Sequence, residues 1–145
     1  MTPAINVAKQ RKITHKVHEY SHDPSSESYG LEAAEKVDEA RVFKTLVVML
    51  DNKELAVGII PVSSLLSMKL IAKATGAKKA AMAAQADVER STGYVLGGVS
   101  PLGQKKQLKT IIDCSVKQFS TIYVSAGRRG LEIELSPEDL TRLVN

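Results

Sequence analysis

Cysteine is nearly absent from this 145-residue chain. Cys114 stands alone, so no internal disulfide can form, and a lone thiol fits a reducing cytoplasm. Tryptophan is missing and aromatics make up 4 % of residues, which removes the interleaved stacking platform expected of a single-strand nucleic-acid binder. No apolar run approaches the roughly 20 residues that a membrane span requires. The opening MTPAINVAKQRK is interrupted by Lys9, Arg11 and Lys12 before an apolar core of about 7 to 15 residues can form, so it does not read as a signal peptide. There is no G-x-S-x-G elbow and no P-loop. His15, His18 and His22 gather near the start without a recognisable metal-ligand spacing, and no metal or cofactor is expected. Cys114 follows Ile111-Ile112-Asp113 at a strand end with no evident partner base and reads as a half-buried structural thiol.

What remains is a single compact domain over residues 1–145, long enough to bury roughly 70 % of the surface its unfolded form exposes. The formal net charge is +4, and its distribution is uneven. Cations gather at Lys9, Arg11, Lys12 and Lys16, at Lys69, Lys73, Lys78 and Lys79, at Lys105, Lys106 and Lys109, and at Arg128 and Arg129, whereas 27–39 is mostly acidic. Such asymmetry favours one basic face and a polyanionic partner. Tyr20, Tyr29 and Tyr94 are the few aromatics that could hold a base or ribose.

Thr2-Pro3 reads as an N-cap and first helical position, opening a helix to about residue 12. A strand is expected at 15–20, a loop at 21–29 and a short helix at 30–37. Two β-rich runs, 43–50 and 54–60, flank Asp51-Asn52-Lys53 and predict a hairpin. The apolar spacing of Met68, Ile71 and Ala72 predicts a helix over 67–75 that Gly76 terminates. A short helix at 87–91, strands at 94–96, 110–113, 121–125 and 131–135, and a C-terminal helix opened by Ser136-Pro137-Glu138-Asp139 complete the reading. Strands and helices mix without βα alternation, which predicts an α+β domain on a mixed or largely antiparallel sheet surrounded by short helices.

The segment 90–106, RSTGYVLGGVSPLGQKK, combines glycines, small hydroxyls and cations. Gly97 and Gly98 lack Cβ atoms, so main-chain N–H groups there can approach a ligand closely, or simply satisfy a tight turn. Lys44 opens an otherwise apolar strand. Pattern alone favours an edge lysine snorkelling to water over a cation held in a cleft.

This segment, with Lys44-Thr45-Leu46 upstream and TIYVSAGRRGLEIEL at 121–135, resembles the YbaK family of aminoacyl-tRNA deacylases over nearly the whole chain. That family includes the editing domain inserted in bacterial prolyl-tRNA synthetase and its freestanding relatives. The resemblance implies a curved, barrel-like sheet with a pocket between the glycine-rich segment and the Lys44 strand. Lys44 matches the family's functional lysine, which would orient the aminoacylated end of tRNA. Gly97-Gly98-Val99-Ser100-Pro101 fits the family's GXXXP loop, whose N–H groups would face a reacting carbonyl. Tyr20, Tyr29, Thr45 and Ser125 match pocket positions; Tyr29 stands where phenylalanine is usual, and Glu132 where close relatives carry aspartate. The implied activity is removal of cysteine from mischarged Cys-tRNA(Pro), with the substrate thiol as nucleophile and prolyl-tRNA synthetase as a partner. Lys105, Lys106, Arg128 and Arg129 would contact tRNA phosphates. Deacylation of Ala-tRNA(Pro) and a non-catalytic nucleic-acid or nucleotide-binding module are the competing readings.

Overall fold

Short, well-capped elements dominate the computed structural model, which describes residues 2–19 and 39–144. The strand position Tyr20, the loop 21–29 with His22 and Tyr29, and the helix expected at 30–37 lie outside the described residues. Helix α1 (Pro3–Gln10) starts where Thr2 Oγ1 accepts the Ile5 N–H at 3.3 Å. Strand β1 (His15–Glu19) follows. Strands β2 (Phe43–Leu50) and β3 (Leu55–Pro61) form the expected hairpin, closed by Lys53 in the left-handed region at φ 71° and by Asn52 Oδ1 accepting the Glu54 N–H. Helix α2 (Met68–Thr75) is ended by Gly76 at φ 79°, as the sequence predicts, and Ser67, expected inside the helix, is its N-cap. Strand β4 (Ala80–Met82), helix α3 (Gln85–Thr92), strands β5 (Lys109–Ile112), β6 (Ile122–Arg128) and β7 (Leu131–Leu135), and helix α4 (Pro137–Val144) complete the fold.

The strands form two sheets, β1-β7-β6 and β4-β2-β3-β5. The first is antiparallel throughout; the second is mixed, because β5 runs parallel to β3. One parallel bridge, Val42 to Tyr123, joins them, and among the described residues no ladder closes the strands into a barrel. The architecture is α+β, with four α-helices among the described residues. One expectation fails locally, and one strand is unexpected. Residues 94–96 form no strand, because the Gly93 C-cap and the turn at 96–97 break the chain direction there. The alanine-rich segment containing β4 carries too little β-branched signal for its strand to be read from the sequence.

Strand alternation sorts the side chains. Phe43 and Val47 of β2, Val57 and Ile59 of β3, and Ile122, Val124, Ile133 and Leu135 of β6 and β7 enter the main core with Ala4, Ala8, Leu140 and Val144 of α1 and α4. Each aliphatic side chain of Val size or larger that is fully buried there stabilises the fold by about 1.5–3 kcal/mol. The opposite face of β2 and β3, through Val48, Leu50 and Ala56, packs on Ile71 of α2. On β6 and β7 the opposite face is polar: it carries Tyr123, Ser125, Glu132 and Glu134.

Candidate active site

The two sheets touch where Val42 bridges Tyr123, and beyond that point β2 and β6 diverge. Strand β4 pairs with β2 only from Val48 to Leu50, so the Phe43–Val47 stretch presents an open edge toward β6. Hydrogen bonds fix which main-chain groups point there. Val62 N–H donates to Val42 O on the β3 side, and Ala83 N–H donates to Val47 O on the other, so alternation turns the Thr45 N–H and C=O away from β3 and into the gap. The gap is a cavity of about 240 Å³. Five consecutive β2 residues, Phe43 to Val47, line it together with Gly97 and Val99 of the glycine-rich loop, Ser125 of β6 and Glu132 of β7. It wraps around the strand edge, so Lys44 and Thr45, on opposite faces of β2, both contribute.

Lys44 is half-buried, and burial lowers its ammonium below the ordinary lysine value. No carboxylate pairs with it among the described residues. Thr45 Oγ1 is fully buried and finds no hydrogen-bond partner among the described residues, a cost that a bound polar group would relieve. Ser125 and Glu132 stand directly opposite each other across β6 and β7, both nearly fully buried, and Ser125 Oγ accepts the Gly127 N–H at 3.2 Å. Among the described residues no histidine lines the cavity to activate the Thr45 or Ser125 hydroxyl as a nucleophile.

The glycine-rich loop divides its labour. Gly97 lines the cavity at φ 94°, a conformation that excludes most side chains, and its N–H has no acceptor among the described residues. Gly98 N–H closes the turn on Val95 O at 2.9 Å and is therefore not free to face a carbonyl. Gly98 lacks a side chain for packing reasons: a Cβ would lie 2.8 Å from Arg128 Cα. Ser100 and Pro101 are buried behind the cavity wall, where Ser100 Oγ accepts the Leu102 N–H and Ser100 O accepts from Gln104 Nε2. Tyr94 is unavailable to a base or ribose, because it is 4 % exposed and donates to Leu102 O at 2.6 Å, and burial raises its hydroxyl to about 12. Cys114 is exposed at the start of a 3-10 helix, not half-buried, and does not line this cavity.

Lys105 and Lys106 are exposed on the loop before β5, Arg128 pairs with Glu19, and Arg129 follows it in the β6–β7 turn. None of the four lines the cavity. Sequence reasoning missed the apolar side of the site, Met82, Ala83, Val88 and Leu96, of which Met82 and Leu96 are half exposed. The tight backbone turn at Leu96, whose N–H donates to Glu89 Oε2, has no pattern in the sequence.

Beside the site, Glu134 ties the sheets together. Its carboxylate accepts from Thr121 Oγ1 at 2.6 Å, His18 Nε2 at 2.9 Å and Arg41 Nη2 at 3.0 Å, while the Arg41 guanidinium stacks 4.9 Å from the Tyr123 ring centroid. Burial alone would raise the Glu134 pKa; the hydrogen bonds from Thr121, His18 and Arg41, with the Arg41 charge, outweigh it and bring the value down to about 2. A depressed carboxylate stabilises the fold above its unfolded value near 4.5, and that stability is lost as pH falls through about 2. Glu134→Gln is expected to cost about 1–3 kcal/mol at pH 7 and to flatten the loss of stability between pH 4.5 and 2. Urea melts at pH 7 and pH 3 measure both effects.

The family model of the aminoacyl-tRNA editing domain matches residues 22–143. The chain is 39 % identical over 151 residues, covering 99 % of itself and 88 % of the relative, to EbsC of Enterococcus faecalis, named as a candidate Cys-tRNA(Pro)/Cys-tRNA(Cys) deacylase. Among solved structures, the hypothetical protein APE2540 superposes with a TM-score of 0.85 at 24 % identity, over 98 % of this chain and 93 % of that one. A candidate trans-editing enzyme for prolyl-tRNA synthetase superposes at 0.81 with 20 % identity, over 99 % and 93 %. At those identities the two structures establish the shared fold.

Proposed function

The chain belongs to the aminoacyl-tRNA editing domain family, and from that membership we propose that it is a freestanding deacylase, one editing domain over residues 1–145, that removes cysteine from mischarged Cys-tRNA(Pro). The observation that carries the reading is the edge of β2, where an ammonium without a counter-ion among the described residues and an unpartnered buried hydroxyl face a cavity of the size of a small aminoacyl group. Such a site can hold and polarise an ester. Its described lining residues offer no activated protein nucleophile, and a cysteinyl ester carries its own.

In the mechanism that follows, Lys44 holds the ester or the adjoining phosphate, and Gly97 N–H stabilises the developing oxyanion. The cysteinyl thiol loses its proton, its sulfur bonds to the ester carbonyl carbon, and the bond from that carbon to the ribose oxygen breaks. The ribose hydroxyl takes up a proton, and the product is free tRNA and a cysteine thiolactone that water opens. Holding thiol and carbonyl together supplies roughly 7–11 kcal/mol of the barrier. Ser125 and Glu132 line the side-chain end of the cavity. Lys105, Lys106, Arg128 and Arg129 contribute phosphate contacts, prolyl-tRNA synthetase supplies tRNA discrimination, and the reaction takes place in the cytoplasm.

Release of amino acid from labelled Cys-tRNA(Pro) and Ala-tRNA(Pro) tests the reading. Cysteine is expected to leave at least about 100-fold faster than alanine, given that only the thiol supplies the nucleophile. Faster alanine release would retain the deacylase and overturn the substrate. No release from either would leave a binding module.

A further inference from the structure

A second cavity, of about 450 Å³, lies at the hairpin end of β2. We propose that it is a phosphate-binding site for the tRNA backbone, a proposal that rests on the reading that the first cavity takes the aminoacyl end. Three separate parts of the chain place cationic residues in its lining: Lys53 in the β2–β3 turn, Arg90 in α3, and Lys106 before β5 with Lys109 at its first position. Two carboxylates, Glu54 and Asp87, also line it. Asp87 is committed, because its Oδ1 accepts from Arg90 Nη2 and fixes that guanidinium. Lys109 Nζ lies 3.5 Å from Thr75 O. Lys53 and Lys106 have no carboxylate partner among the described residues, and Lys53 holds the left-handed backbone conformation at φ 71°.

Among the described residues, four cations against two carboxylates leave the wall two charges positive, a surplus carried by Lys53 and Lys106 that a bound anion would offset. The position argues for a polymer. Both cavities share the same two walls: β2 contributes residues through Val47 to the first and Met49 to the second, and α3 contributes Val88 to the first and Arg90 to the second. Val47 and Met49 are two residues apart, about 7 Å along the strand. The two cavities are therefore neighbours along β2 and α3, at a spacing that a polyanion held in the first can bridge. Among the described residues no aromatic side chain lines that cavity, so its wall suits backbone contacts without base reading.

The test compares wild type with the double variant Lys53→Ala/Lys106→Ala, and with Lys69→Ala/Lys73→Ala on α2 as a charge-matched control. Binding of deacylated tRNA is measured against salt concentration, and steady-state cleavage is measured on Cys-tRNA(Pro) and on a cysteinyl-adenosine ester. Each phosphate contact contributes about 0.7–0.9 to the slope of log affinity against log salt, so the slope should become about 1.4–1.8 shallower in the first variant and stay unchanged in the control. KM for Cys-tRNA(Pro) should rise about tenfold at constant kcat, and cleavage of the adenosine ester should not change. An unchanged slope, an equal change in the control, or equal loss on the adenosine ester would overturn the proposal. If wild type cleaves no aminoacyl-tRNA but the slope still falls, the deacylase reading fails and the phosphate site stands.

Discussion

Lys44→Ala is expected to lose turnover on Cys-tRNA(Pro) by about 10²–10³-fold while affinity for deacylated tRNA falls by less than about tenfold. The ammonium stands at the open edge of β2, lowered by burial and without a carboxylate partner among the described residues. A half-buried, unpaired charge costs the folded state stability, so the variant is expected to melt at the same temperature as wild type or higher. That combination separates a functional lysine from a structural one: activity disappears and the fold does not suffer. Lys44→Arg keeps the charge but replaces a compact ammonium with a planar fork, and should recover only part of the rate. Single-turnover cleavage, filter binding and thermal melts on the three proteins measure the effects. If binding and turnover fall by the same factor, Lys44 contributes uniform binding and the site is a binding module.

Much of this site could be read from residue order, and the unread part has physical causes. The hairpin at Asp51–Lys53, the Gly76 cap and the Ser136-Pro137 helix start are local rules, satisfied by residues within a few positions of each other, and all are found. The meeting of Lys44, Thr45, Gly97, Ser125 and Glu132 depends on contacts across more than 80 positions, and only likeness to a family suggested it. Gly97 and Gly98 look alike in sequence, yet one lines the cavity and the other is needed where β6 turns toward β7. Ser100 and Tyr94 look like site residues because they carry hydroxyls in a glycine-rich segment; burial converts both into loop supports. The cluster around Glu134 was invisible for a related reason. Its members come from β1, the turn before β2, the approach to β6 and β7, and none forms a motif alone.

Replacing the substrate's sulfur should have the second large effect. Ser-tRNA(Pro) differs from Cys-tRNA(Pro) by one atom in the amino acid, so the two esters make nearly the same demand on the cavity. If the protein supplied the nucleophile, the two esters would be cleaved at similar rates. Under thiol attack, serine cleavage should be slower by about 10³-fold or more, because orienting an internal nucleophile is worth roughly 7–11 kcal/mol and a hydroxyl far from its pKa is a poor one. The pH profile follows from the same chemistry. A cysteinyl thiol of ordinary pKa near 8.5 makes the rate rise through that value as the thiolate forms. Lys44 carries its charge below its own pKa, which burial lowers from the usual 10.5, so the ammonium is lost as pH rises toward that limit. The expected kcat/KM profile is a bell, with an acid limb set by the substrate and an alkaline limb set by Lys44. In Lys44→Arg the alkaline limb should move beyond the measurable range, since a guanidinium stays charged. Rates for both esters from pH 6 to 10, corrected for uncatalysed hydrolysis, decide it: equal cleavage of serine and cysteine, or an alkaline limb unmoved in the arginine variant, would remove the thiol or Lys44 from the reaction.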